Sequence, residues 1–560
     1  MTLTEDRMEV ELPDISGRPR EVTRQARRRW PSVVGLAVVV GVSVWVAGIG
    51  REPIVNSRGW SEFAEFFGAA LHPRLDAAFL DLTWNAAIVT LAYALLGSVL
   101  ALVIGAIFGV ISSDAWLVGG PERSVARVVR RAVRIGLVPV RSIHEAIYAL
   151  LLVRVLGINP LVAILAIAIP FGAVTARVFA QMLDDVDPRA AHDLVAQGAG
   201  RGQAFLYATL PSAVRDVTSY AFYRFECALR SAAVLGVIGA AGLGYQLKLS
   251  FQSLRYDEIW TLLFALIILC GLGELLSNRV RHSTMKARTP SRPRADDEVQ
   301  VVKRHRVRPV IVGLMAGCAI GLPWAWWHLG VDISTLWAGR ATDAATRLAS
   351  ELFPPAADGG LGHVFDITIE TLAMSVIALA IAATLAGGAA FIGGRRRSAP
   401  RVLVATVMRI FLLVTRTIPP PIWAFVLLFL FLPGVVPGAL ALAIYTFGVL
   451  GRLMGEVVEH VDPGPGDRLR AMGARPAQEF LYERMPRVAP SFVALGLYRW
   501  EVATRETVVV GIVAAGGLGY AINQQLAAFD YHALAGSLIA LALLTLVAEL
   551  VTARLRRAWS

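Results

Sequence analysis

Two short runs carry most of the ionic chemistry in this chain. Arg224, Glu226 and Arg230 lie in one apolar stretch, and Arg499, Glu501 and Arg505 lie in another. On a helix, Glu226 and Arg230 share a face four residues apart, as do Glu501 and Arg505; Arg224 and Glu226 do not. Charged side chains are costly in lipid, so these six are expected to face a bundle interior or a wet cavity. Catalysis is not indicated, because no His, Asp and Glu cluster has metal-ligand spacing or a nucleophile–base pairing. Cys227, Cys270 and Cys318 sit in apolar stretches and read as small buried hydrophobes. No G-x-x-x-x-G-K-[ST] run occurs, so nothing in the chain can cradle ATP phosphates as a P-loop does.

The two runs are copies of one another. Adding 275 to each residue number takes Gly198, Gln203, Phe205, Leu206, Tyr207 and Pro211 onto Gly473, Gln478, Phe480, Leu481, Tyr482 and Pro486. The same offset takes Tyr223–Arg230 onto Tyr498–Arg505, Arg141 onto Arg416, and Arg177 onto Arg452. Such register identifies a tandem duplication.

Composition places both copies in a membrane. The chain has 560 residues, of which 56% are hydrophobic and 17% charged, against roughly 25% charged in a soluble domain. Apolar runs long enough to span alternate with arginine-rich connections. Spans are expected near 31–50, 83–111, 135–156, 161–183, 212–239 and 259–276, and again near 310–327, 367–393, 402–432, 435–458, 490–515 and 533–551. The expected fold is all-α, with two tandem parallel six-helix halves and about 12 spans. Residues 1–31 form a tail, 32–280 the first unit, 281–307 a basic linker and 308–560 the second unit. The net charge of +12 is spread beside apolar runs, which fits cytoplasmic loops against anionic lipid rather than nucleic-acid binding. This places both termini in the cytoplasm of a cell (inner) membrane protein. Six spans per unit give the units one orientation, with a symmetry axis along the membrane normal.

The elements around the charged runs then follow. The polar stretches 184–211 and 461–486 fall on the cytoplasmic side, with Gly198 and Gly473 allowing a sharp turn. The Phe-Leu-Tyr trios at 205–207 and 480–482 offer an apolar face for a partner groove. Arg141 and Arg416 read as snorkelling interface anchors, with gating as the alternative. Glu145 has no acidic mate, because its register partner is Pro420. Gly239, Gly242 and Gly244, with Gly516, Gly517 and Gly519, mark a bend or a close helix approach.

The stretch from Gly198 to Pro211, echoed by Gly473 to Pro486, resembles the cytoplasmic coupling loop of bacterial ABC importer permeases. It departs from that family's acidic start, having His192 and Asp467 at the Glu position. Tyr-Arg-x-Glu-x-Ala-x-Arg followed by Gly-Leu-Gly, at 223–230 with 242–244 and at 498–505 with 517–519, resembles phosphonate and phosphite importer permeases. So do Arg141–Glu145 and Arg416–Pro420. The resemblance covers roughly 80–280 and 365–555 and suggests two permease units fused in one chain. It implies a partner ABC ATPase dimer, carrying ATP and Mg, docked on the two loops. It also implies an extracytoplasmic substrate-binding protein. Under it, the second arginine of each pair, Arg230 and Arg505, helps pass a phosphorus oxyanion, whose oxygens suit the guanidinium fork; structural ion pairs with Glu226 and Glu501 are the alternative. An ABC permease for another small solute and a gradient-driven transporter are the alternative functions.

Overall fold

A computed structural model describes residues 34–51, 53–117, 124–285, 309–393, 399–462 and 464–559. The tail at 1–31 and most of the linker at 281–307 lie outside them. The described residues are helical almost throughout. The first half comprises α1 (Val34–Val46), α2 (Trp60–Gly68), α3 (Ala77–Ser112), α4 (Ser124–Ser142), α5 (Glu145–Leu156), α6 (Pro160–Asp184), α7 (Arg189–Ala196), α8 (Arg201–Ala204), α9 (Leu210–Ile238), α10 (Leu243–Gln252) and α11 (Tyr256–Met285). The second half repeats the order with α12 (Pro309–His328), α13 (Gly339–Glu351), α14 (Gly360–Gly393), α15 (Ala399–Thr417), α16 (Pro420–Leu430), α17 (Val435–His460), α18 (Gly464–Ala471), α19 (Pro476–Glu479), α20 (Met485–Val510), α21 (Gly517–Ala527) and α22 (Tyr531–Trp559).

The third expected span of each half is not one straight helix. α4 and α5 meet at 88°, and α15 and α16 at 93°. The breaks have local causes. The His144 ring caps α5 by accepting from the Ala146 amide at 3.2 Å. Pro419 removes a donor and leads into Pro420 at the helix start, where proline is pre-set. A second departure follows the glycine-rich breaks, where α10 and α21 add short helices bent by 41° and 49° from α9 and α20. Among the described residues, six helices are long and apolar enough to span alone, and counting each bent pair as one span gives ten. The remaining two expected spans correspond to α1, whose helix is short of a full crossing, and α12.

Small residues let the helices approach closely. A Cβ on Gly244 would lie 1.8 Å from the Ala233 carbonyl oxygen, and one on Gly519 2.2 Å from that of Val508. The glycine breaks are therefore tight packing points. Each short helix that follows is tied to an earlier long helix, α3 or α14, through a threonine: Leu243 N donates to Thr90 Oγ at 2.9 Å, and Leu518 N to Thr371 Oγ at 2.8 Å.

The halves exchange elements. Ile147 of α5 is fully buried in a cluster with Val508, Leu518, Ile522 and Leu541 of the second half. Ile422 and Val426 of α16 join the core of the first half. Val44 and Ala47, in and just after α1, pack against a cluster containing Met374 and Ile377, while Ala325 of α12 belongs to the first half's core. Asn56 N donates to the Leu430 carbonyl at 2.8 Å across the same boundary.

Candidate functional site: an arginine-lined cavity and two polar loops

The bends of α4–α5 and α15–α16 meet α9, α17 and α20 around a cavity of about 230 Å³ between the halves. Arg224, Glu226, Arg230, Arg499 and Arg505 line it, as do Arg141, Arg416, Arg452, Glu145 and Glu506. Glu501 does not line it but stands behind, 3.3 Å from Arg505. The helical spacing brings each expected pair together, with Arg230 2.7 Å from Glu226. Arg499 reaches Glu506 seven residues on, at 2.7 Å and 3.0 Å. Arg224 has no ion pair among the described residues; its guanidinium lies 4.0 Å from the centre of the Phe171 ring.

Arg141 and Arg416 are not lipid-facing anchors. Arg416 is buried and bonded to Glu274 of α11, and Glu274 also meets Arg452 at 3.0 Å. Arg141 and Arg177 both bind Glu549 of α22, each at 2.8 Å. Glu274 and Glu549 are themselves register mates. Each carboxylate therefore clamps two arginines of the opposite half, giving two pseudo-symmetric bridges across the seam. Burial explains the correction: these two guanidinium groups lie inside the bundle, out of reach of the interface, and each is balanced there by a carboxylate. The bridging glutamates escaped the sequence reading, although the 275-residue offset pairs them; their arginines lie far off in the chain.

Register also breaks down in one informative place. Glu145 is buried and accepts from Ser231 Oγ at 2.6 Å, whereas the mates of these residues are Pro420 and Glu506. The acid on α5 in the first half is thus replaced by one on α20 in the second.

In the two polar loops, Gly198 and Gly473 adopt φ of +92° and +89°, a region that favours glycine. They turn α7 into α8 and α18 into α19. Gln203 Oε1 accepts from Gly200 N at 2.9 Å, and Gln478 Oε1 from Arg475 N at 2.8 Å, closing the same small loop twice. Pro211 and Pro486 sit in the first turns of α9 and α20. The expected apolar face is narrower than the full trio. Phe205 stacks on Trp116 at 4.4 Å and Phe480 packs edge-on to Phe391 at 4.6 Å, so both anchor the loop to the chain's own body. Leu206, Tyr207, Leu481 and Tyr482 remain 55–79% exposed. The loops also differ inside. Glu479 lies between Arg470 and Arg484, and Glu483 meets Arg487 at 2.6 Å, where the first loop has Ala204 and Ala208.

Comparison with known proteins matches residues 115–282 and 385–559 to the family described as binding-protein-dependent transport system inner membrane component. The phosphate-import permease protein PhnE of Mycolicibacterium smegmatis is 26% identical over 499 residues, covering 89% of this chain and 88% of the relative. The phosphite transport system permease protein PtxC of Stutzerimonas stutzeri is 36% identical over 225 residues, covering 40% of this chain and 80% of the relative. Among solved structures, an inward-facing MetNI methionine ABC transporter aligns at 22% identity with a TM-score of 0.34, covering 38% of this chain and 99% of that one. The chain thus belongs to the binding-protein-dependent transport system inner membrane components, and it carries that family's domain twice in tandem.

Proposed function

We propose that this chain forms the whole translocation path of an ATP-driven importer for a phosphonate, phosphite or related phosphorus oxyanion. The observation that carries the substrate class is the cavity at the seam, whose lining is rich in guanidinium groups. Arginine binds tetrahedral oxyanions through paired N–H donors. The named substrates of the relatives, phosphate for PhnE and phosphite for PtxC, support the same class. ATP and Mg belong to a separate ATPase dimer, one subunit docking on each cytoplasmic loop through Leu206–Tyr207 and Leu481–Tyr482. An extracytoplasmic binding protein delivers the solute. The arginine distribution supports an inner-membrane chain with both termini cytoplasmic.

The test is ATPase activity of the chain reconstituted with its ATPase and binding protein, titrated with phosphite, phosphate and methylphosphonate. At least one ligand is expected to stimulate hydrolysis, and Tyr207→Ala with Tyr482→Ala is expected to abolish the stimulation. An assembled complex that responds to none of the three would refute the substrate class. Failure of any ATPase to associate would refute the energy source.

A further inference from the structure

The cavity is built from duplicated residues, yet its charges are not duplicated. Arg141, Arg230, Arg416, Arg452, Arg499 and Arg505 each meet a carboxylate. Arg224 is the exception among the described lining arginines. It is only 9% exposed, its Nε has no hydrogen-bond partner, and its neighbours are the faces of Phe171 and Tyr220, at 4.0 Å and 5.9 Å. The cause lies at one position. Glu506, which neutralises Arg499, is replaced in the first half by Ser231, whose hydroxyl is given to Glu145.

We propose that Arg224 is the oxyanion-binding residue of the cavity, so that the solute is held off the pseudo-two-fold axis, by the arginine of the first half alone. This rests on reading the cavity as an oxyanion path. A guanidinium stays protonated under all ordinary conditions, and a buried charge without a counter-ion is strongly unfavourable. Aromatic faces recover only part of that cost. An anionic guest supplies the missing partner, two of its oxygens accepting from the guanidinium. Tyr223 and Tyr498 line the same space and bring hydroxyl donors. Arg499 differs in charge: Glu506 already neutralises it, both carboxylate oxygens accepting from its Nη2, although its Nε, like that of Arg224, has no hydrogen-bond partner among the described residues. Asymmetry also suits release: a guest held by one free arginine leaves more readily than one clamped by two.

The full chain, purified in lipid nanodiscs, is titrated with phosphite, phosphate and methylphosphonate against matched chloride, and thermal stabilisation is read. The same variants are assayed for ATP-driven uptake in the reconstituted complex. Arg224→Gln is expected to weaken the apparent affinity by roughly tenfold or more, the loss of a charge-assisted contact. Without ligand it should be at least as stable as the wild type, since it removes an unpaired buried charge. Arg224→Lys should retain a reduced response. Glu506→Gln frees Arg499 and is expected to tighten binding or add a second site. An unchanged response in Arg224→Gln, or no gain in Glu506→Gln, overturns the assignment even if uptake persists. A wild-type complex that takes up none of the three oxyanions refutes the transport reading itself. If Arg224→Gln does not fold, the Lys and Glu506→Gln variants decide: an unaltered response in either overturns the proposal.

Discussion

Glu274 and Glu549 show how much a single residue can hold in this chain. Each carboxylate faces two guanidinium groups of the other half. Replacing a buried ion pair by apolar groups can be harmless, but removing one partner strands a charge, at a cost of about 3–5 kcal/mol. Glu274→Gln strands Arg416, which is buried, while Arg452 keeps Glu456; Glu549→Gln strands both Arg141 and Arg177, whose side chains are 13% and 37% exposed. Glu549→Gln, which leaves two guanidinium groups without their carboxylate, is therefore expected to lower the melting temperature of the purified chain more than Glu274→Gln does; the reverse order would contradict the argument from stranded charge. At this scale the sequence was partly legible. The i,i+4 pairs Glu226–Arg230 and Glu501–Arg505 follow from helical spacing alone. The seam bridges do not, since Arg141 and Glu549 lie 408 positions apart. Only the fold brings them together.

Elements show the same division between local and long-range information. Apolar length predicted a single span over 135–156, and the sequence does contain a run of that length. Hydropathy carries no direction, however, so the 88° bend at Ser142–His144 was invisible to it. The cues were present in Pro139 and, in the second copy, in Pro419–Pro420. The glycine breaks were legible as close approach or bend, and backbone distance decides the matter. An added Cβ at Gly244 or Gly519 would collide with a carbonyl oxygen of the preceding helix. Gly244→Ala is expected to cost about 3 kcal/mol or more, because backbone cannot move aside as a flexible side chain can. Its measure is the yield of monodisperse protein and its melting temperature. Gly198→Val meets no neighbour, yet it forces a branched residue to positive φ at about 1–2 kcal/mol. It should leave the membrane body folded while loosening the loop, so transport should fall more than stability does.

Across the whole molecule, duplication and exchange are the governing facts. The sequence carried the repeat, the membrane character and the all-α class. It did not carry the exchange of α5 and α16, because apolar helices such as these are equally compatible with either core. Exchange makes the halves mutually dependent: Ile147 completes one core, and Ile422 with Val426 completes the other. A protease site inserted near position 295, within the basic linker, is therefore expected to yield two fragments that still co-purify after cleavage in mild detergent. Separation of the fragments would show that the cores are independent. The same duplication lets one copy diverge while the other keeps its charge balance, as Ser231 and Glu506 do at the cavity.

The most direct test of the central claim, that the arginine-lined seam carries a phosphorus oxyanion, is ATP-driven uptake of radiolabelled phosphate and phosphite into proteoliposomes. They would contain this chain with its ATPase and binding protein, in wild-type form and as Arg224→Gln. Uptake that requires ATP in the wild type and falls roughly tenfold or more in the variant, with the complex still assembled, is the expected result. Equal uptake by both forms would contradict the role of the seam arginine, and no uptake of either oxyanion or of methylphosphonate by an intact complex would contradict the substrate class.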